Sequence, residues 1–425
     1  MALDVIVGLQ RGDEGKGRFV DLAAPNYEIV ARGNGGANAG HTVVVEGMEP
    51  IALHQVPSGI IYPGKLNVIG NGVYLDPIKM LVELETLKRA GVEVTPDNLL
   101  ISNMAHLVMP HHKHLDELRE GGETAQGSTK SGIAFVASDK YLREGRRLED
   151  VYDIEMLKDV ALAGLSITSI GSMARRAELR NEVVRWARAV EALKPFMADT
   201  VEVINEKLDE GRDVLAEGAQ AYWLDINHGM YPMVTSSSTT VNGLMDGLGV
   251  SHKHIRKVTG VAKVVTSHVG GGPFVTEITD PNLVQQLRGE VGKPDSEFGA
   301  STGRPRRVGY PDMVQLRNAV RGNGVDELVL SKMDHAERFG RRIRVATSYV
   351  MGDVQLDYAP KSAASLAECE PRYSTLRTWN NISAASDYYD LSMEAKQFVQ
   401  LVEDEAGVQV GMLGVGYQRN QVVRL

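Results

Sequence analysis

The chain has 425 residues, 43% of them hydrophobic and 24% charged, the composition of a globular protein with a sizeable core. Its net charge of -9 argues against a broad nucleic-acid surface or an anionic-membrane surface. The single cysteine, Cys369, excludes a disulfide framework or a cysteine-rich metal centre within the chain and fits a reducing, cytoplasmic setting.

The start of the chain runs straight into strand-like sequence, without the basic and apolar regions of a signal peptide. No apolar run approaches the roughly 20 residues of a membrane span. Residues 4–8, 27–31 and 66–69 read as short buried strands, and 77–90 as a helix. Residues 101–200 look more helical and suggest a subdomain, with a long helical pattern over 178–208. Strand signals return at 213–216, 257–265 and 327–330, with a helix over 311–321. Strands alternating with helices predict an α/β fold with a long, mostly parallel central sheet. No linker or composition break divides the chain, so residues 1–425 are expected to form a single domain.

The first strand opens into Gly8-Leu9-Gln10-Arg11-Gly12-Asp13-Glu14-Gly15-Lys16-Gly17. Its glycines let backbone amides converge on phosphate oxygens, and Lys16 adds a point charge. Gly17 stands where the common phosphate loop carries the serine or threonine that holds magnesium. An acid inside such a cradle is repulsive unless a metal or a proton-transfer role compensates, and Asp13 is the candidate for both. The second strand leads into a loop with Gly33, Gly35, Gly36 and Gly40, again suited to close backbone approach. His41 follows directly, as a candidate general acid.

His111, His112 and His114 are not spaced i, i+4, so they are expected on a solvated face rather than around a metal. Residues 127–132 form a polar loop suited to a monophosphate, and 217–220 end a strand. The loop 300–307 carries Arg304, Arg306 and Arg307, whose forked guanidinium groups suit a small dianion. After the strand at 327–330 comes Ser331-Lys332-Met333-Asp334, similar to the NKxD element of GTPases. A carboxylate there accepts from N1–H and N2–H of guanine, a donor pair that adenine lacks.

Taken together and in order, these segments resemble the adenylosuccinate synthetase family from Val5 to about Arg419. The resemblance implies condensation of IMP with L-aspartate, using GTP as co-substrate and one Mg²⁺, through a 6-phosphoryl intermediate. It implies catalytic roles for Asp13 and His41, and magnesium bound by Asp13 and Gly40. GTP contacts are expected from Gly12, Asp13, Glu14, Gly15, Lys16, Gly17, Arg18, Gly40, His41, Thr42, Lys332, Met333, Asp334, Gly414, Val415 and Gly416. IMP contacts are expected from Asp13, Glu14, Gly15, Lys16, Asn38, Ala39, Gly40, His41, Thr129, Arg143, Gln220, Thr235 and Arg304. Arg143 is expected to be shared across a homodimer interface. The aspartate clamp is expected from Ala300, Ser301, Thr302, Gly303, Arg304, Pro305 and Arg306. The chain departs from the family at Arg11 (usually tryptophan), Asn34 (glutamine) and Ala37 (histidine). It also departs in the 130–135 stretch, at Pro305, and at Gly414-Val415-Gly416-Tyr417 in place of S/T-x-GP. These positions leave an alternative open, the same chemistry on another 6-oxopurine nucleotide such as dGMP. Intact Asp13 and His41 argue against a third reading, a non-catalytic GTP-binding regulator.

Overall fold

The computed structural model describes residues 2–43, 50–123, 125–168, 173–293, 295–299 and 303–425. Ten strands form its central sheet. In chain order they are β1 (Ala2–Gly8), β2 (Ile29–Arg32), β3 (Leu66–Ile69), β4 (Leu99–Ser102) and β5 (Met197–Ala198). They continue with β6 (Asp213–Glu217), β7 (Ile255–Lys263), β8 (Glu327–Ser331), β9 (Val410–Gly414) and β10 (Val422–Arg424). The spatial order is β10-β9-β8-β7-β1-β6-β2-β3-β4-β5, with every neighbouring pair parallel except β9 and β10. This is the mostly parallel α/β sheet expected from the alternation of strands and helices.

The hydrophobic runs explain why the strands are buried on both faces. In β1, Leu3, Val5 and Val7 enter the large core cluster, while Ile6 turns to the opposite face with Phe19 and Val20. That is the two-residue period of a strand covered on each side. β1 is also where the strand order reverses. The chain first moves outward through β2 to β5, returns as β6, and then builds β7 to β10 on the other flank. Ligand crevices in open parallel sheets form at such a reversal, beyond the carboxyl ends of the strands.

The long helix expected over 178–208 is two helices, Met173–Leu193 and Thr200–Asp209. Pro195 lies in the short turn between them, and Asp199 caps the second helix by accepting from Glu202 N at 3.2 Å. The helix expected over 311–321 spans Met313–Asn323, with Asp312 as its N-cap accepting from Gln315 N at 3.0 Å. Helices Pro77–Arg89, Ile154–Thr168 and Met173–Leu193 share a second core cluster with Ile69, Leu99 and Ile101 of the sheet. Trp186 anchors that cluster, donating from Nε1 to Val108 O at 3.0 Å. Among the described residues no helix is long and apolar enough to cross a membrane.

Candidate active site

The loops that follow β1, β2, β6, β7 and β8 surround one cavity of about 900 Å³. The β1 loop forms its floor, and its geometry explains the acid in the phosphate cradle. Glu14 is fully buried and accepts from Gly12 N at 2.8 Å and Gln10 N at 3.2 Å, while its other oxygen takes Lys16 Nζ at 2.7 Å. The carboxylate therefore ties the loop to itself and neutralises the lysine. Gly8 is required beneath it, because a Cβ there would lie 2.7 Å from the backbone oxygen of Gln220 as well as 2.6 Å from Glu14 Oε2. Helix Lys16–Ala23 begins at the loop's end, and Lys16, Gly17 and Arg18 of its first turn line the cavity. A helix start of this kind favours phosphate. The glycine in place of the usual hydroxyl residue also has a steric cause. A Cβ at Gly17 would meet His41 Cβ at 2.6 Å.

His41 is held from behind. Its Nδ1 contacts the Glu217 carboxylate at the end of β6, and Arg32 at the end of β2 lies 3.5 Å from the same carboxylate. Glu217 also accepts from Ser58 N at 2.7 Å and Ser58 Oγ at 2.9 Å, and all four groups are buried. Burial, reinforced by the Arg32 charge, pushes the His41 imidazole down to about 4. Burial alone would raise the Glu217 carboxyl, but Arg32 and then His41 pull it down to about 2. At neutral pH the pair is thus a neutral imidazole against a carboxylate. The carboxylate assigns the ring proton to Nδ1 and leaves Nε2 with its lone pair.

Asp13 sits at a left-handed backbone position, φ 58°, which turns it to the cavity. Its Oδ2 lies 2.8 Å from Arg306 Nη2. Arg306 Nη1 also donates to Glu297 at 2.7 Å, and Glu297 collects Lys263 Nζ at 2.9 Å, Ser267 Oγ at 2.8 Å and Lys332 Nζ at 2.6 Å. Burial by itself would raise the Glu297 carboxyl, but Lys263, Lys332 and Arg306 hold it well below the carboxylate range. A continuous ion network therefore joins Asp13 to Lys332.

The side chains expected around the nucleoside converge. Gln220 Nε2 donates to Asn38 Oδ1 at 3.1 Å, and Asn38 Nδ2 donates to Thr235 Oγ1 at 3.4 Å. Arg304 Nη2 donates to Gly127 O at 2.8 Å and Ser128 O at 3.2 Å, bringing the arginine loop against the 127–132 loop. Asp116 shapes that second loop by accepting from Ser128 Oγ at 2.7 Å and Gly132 N at 2.9 Å. Thr129, Ala39, Gly40, Thr42, Gly303, Lys332, Asp334 and Gly416 also reach the cavity wall.

Several expected residues lie elsewhere. Arg143, at the end of helix Ile133–Leu142, is exposed and off the cavity wall, beside Tyr141 and Leu142, which are 78% and 60% exposed. Met333 is buried behind the wall, and Pro305, Gly414 and Val415 do not line it. Ala300, Ser301 and Thr302 lie outside the described residues. The solvated face expected for the histidine triplet is wrong. His111 and His112 are buried with ring centroids 4.2 Å apart, and His114 reaches Glu182 at 3.1 Å. His112 and His111 approach Asp139 at 2.9 and 3.8 Å, a metal-like trio. However, His112 Nδ1 accepts from Met109 N at 3.0 Å, so its Nε2 carries the proton and donates to Asp139. One nitrogen caps its own helix and the other joins it to helix Ile133–Leu142, so both are committed. Arg32, Lys263 and Glu297 were not singled out from sequence, because each acts through a partner more than 30 residues away in at least one contact.

A helix start suited to phosphate, a buried histidine–carboxylate pair and a carboxylate across one crevice fit a nucleotide-dependent enzyme of the α/β class. The adenylosuccinate synthetase family model matches residues 5–423. An adenylosuccinate synthetase of Caldicellulosiruptor bescii is 39% identical, covering 98% of this chain and 98% of its own. One from Thermodesulfovibrio yellowstonii is 40% identical over 100% of this chain and 99% of its own. The fully ligated adenylosuccinate synthetase of Plasmodium falciparum superposes with a TM-score of 0.89 at 31% identity, covering both chains entirely. The succinoaminodeoxyadenylate synthetase of cyanophage S-2L, bound to dGMP and dATP, shares the fold at a TM-score of 0.61 and 20% identity, covering 100% of this chain and 95% of its own. The chain belongs to the adenylosuccinate synthetase family, GTP-dependent ligases that form a C–N bond between L-aspartate and IMP.

Proposed function

We propose that Asp13 and His41 carry the chemistry of this ligase, supported by their convergence on one cavity from separate strands. The 6-oxygen of hypoxanthine is a poor leaving group. Asp13 takes the N1 proton, which makes O6 nucleophilic toward the γ-phosphorus of GTP; GDP departs. The aspartate amine then attacks C6 and phosphate leaves, giving adenylosuccinate. Positioning and charge stabilisation supply most of the acceleration in such a transfer. The charge of a bound triphosphate offsets the burial that keeps His41 neutral, so that His41 can place a proton on the transferring phosphate.

The Asp13 carboxylate and the Gly40 carbonyl, both on the cavity wall, are hard oxygen ligands that would hold Mg²⁺. When bound, that ion would neutralise charge on the phosphates. Asn38, Thr129, Gln220, Thr235 and Arg304 bind IMP, the arginine loop binds L-aspartate, and Lys332 and Asp334 bind guanine. The exposed Tyr141, Leu142 and Arg143 support a homodimer in which Arg143 serves the partner's cavity. We place the enzyme in the cytoplasm and read the chain as one domain.

The test is turnover followed by ultraviolet absorbance with GTP, Mg²⁺, aspartate and one of IMP, dGMP or GMP. Turnover with IMP is expected. Turnover with dGMP but none with IMP would overturn this reading of the purine site.

A further inference from the structure

We infer that His335 is a specificity-determining residue that donates a hydrogen bond to the 6-oxygen of the guanine of GTP. The inference rests on the reading of Lys332 and Asp334 as the guanine subsite and adds a contact to it.

His335 follows Asp334 in the 3₁₀ turn Met333–Phe339 and lines the cavity beside it. It is 1% exposed, yet neither ring nitrogen has a hydrogen-bond partner. A buried imidazole without partners is costly and calls for an explanation, such as a group that a ligand completes. Asp334 Oδ1 is likewise buried and partnerless, and His335 Nε2 stands 3.8 Å from Asp334 Oδ2. The orphaned imidazole therefore stands beside the carboxylate group that carries the orphaned oxygen.

The polar edge of guanine runs from the acceptor O6 through N1–H to the N2 amino group. A carboxylate that takes the two donors requires a donor next to it for O6. Burial, with the charges of Lys332 and Arg338, holds His335 neutral, so it offers one N–H. Neighbouring donors are engaged. Lys332 Nζ bonds Glu297 at 2.6 Å, and the Arg18 Nη atoms bond the Gly416 and Gln421 carbonyls. Arg18 Nε, like His335, is buried without a partner, and Arg338, whose Nη1 is also partnerless, is off the cavity wall. The strand end at Gly414-Val415-Gly416 offers no side-chain hydroxyl.

The test compares GTP with 6-thioguanosine triphosphate on the full-length enzyme. The thio analogue keeps N1–H and the amino group but has a weak acceptor at position 6. The wild type should prefer GTP. In His335→Phe the KM for GTP should rise about tenfold, the effect of one lost hydrogen bond. The KM for the thio analogue should stay constant, so the preference collapses. The KM values for IMP and aspartate should not move, and His335→Gln, which keeps an N–H donor, should recover part of the preference. Asp334→Asn separates the two levels. If Asp334→Asn leaves the preference for GTP over ITP unchanged, the guanine subsite itself is misassigned. If that preference falls while His335→Phe keeps its preference for GTP over the thio analogue, the O6 donor is another group, and the inference about His335 is overturned. Should the phenylalanine variant fail to fold, a wild type without preference between GTP and its thio analogue overturns it as well.

Discussion

The Arg306 guanidinium lies 2.8 Å from the Asp13 carboxylate, so the proposed base rests against a cation. Such a partner fixes the carboxylate in place on the cavity wall. Asp13→Asn keeps the shape and removes the acceptor. We expect kcat to fall roughly 10²–10⁴-fold, with GTP still bound in equilibrium measurements. Near-normal turnover would remove Asp13 from its role.

His41 is neutral while the cavity holds no substrate, its imidazole at about 4 through burial and the Arg32 charge. Binding a polyanion beside it should draw in a proton near pH 7. Calorimetric titration with GTP in buffers of different ionisation heats should report net uptake. In His41→Asn the uptake should vanish. An unchanged proton count in that variant would locate the uptake elsewhere.

Burial also lowers His106 and His111 to about 4 and His268 to about 3, from an ordinary 6.5. The folded form thus binds fewer protons than the unfolded chain between these limits. Its stability is intact above pH 6.5 and declines as pH falls toward 4. Denaturant unfolding at pH 7, 6 and 5 should show progressively lower midpoints. A flat profile over that window would contradict neutral burial.

The Gly17–His41 contact leaves no room for a side chain, with a virtual Cβ 2.6 Å from His41 Cβ. Gly17→Ser, which restores the common phosphate-loop residue, should therefore damage the site. Overpacking of this kind costs about 1–3 kcal/mol. Thermal melting should show the loss, and turnover should drop because His41 is displaced. A variant with full activity would mean that the loop can move apart.

Arg143 lies off the cavity and close to exposed Tyr141 and Leu142. If it serves a second copy, specific activity should fall on dilution while the folded monomer persists. Sedimentation and activity measured across the same concentrations should change together. Activity independent of concentration in a monomeric sample would refute the sharing.

Six of the ten strands were legible as short apolar runs, four of them ending in or followed by glycine, and β1 matched closely; β4, β5, β9 and β10 were not expected. The helix break at Pro195 was visible in principle, yet the apolar spacing runs on through it. Phosphate-loop chemistry could be read because its residues are contiguous. Glu14 was harder. An acid inside a phosphate cradle looks repulsive in sequence, and only the fold shows it accepting two loop amides. The support of His41 was hidden for another reason, since Arg32 and Glu217 come from strands far apart in the chain. The burial of His111 is missed because one-dimensional spacing ignores Gly164 of helix Ile154–Thr168, whose missing side chain makes room for the ring.

The Glu14 carboxylate has a consequence for the enzyme between turnovers. Loops that bind phosphate through exposed amides are commonly left loose when their ligand departs. Here the loop carries its own internal anion, bonded to Gln10, Gly12 and Lys16. Much of the ordering entropy is met when the chain folds rather than when substrate arrives. Product can then leave without the floor of the crevice collapsing, and the next nucleotide meets a surface already shaped to receive it.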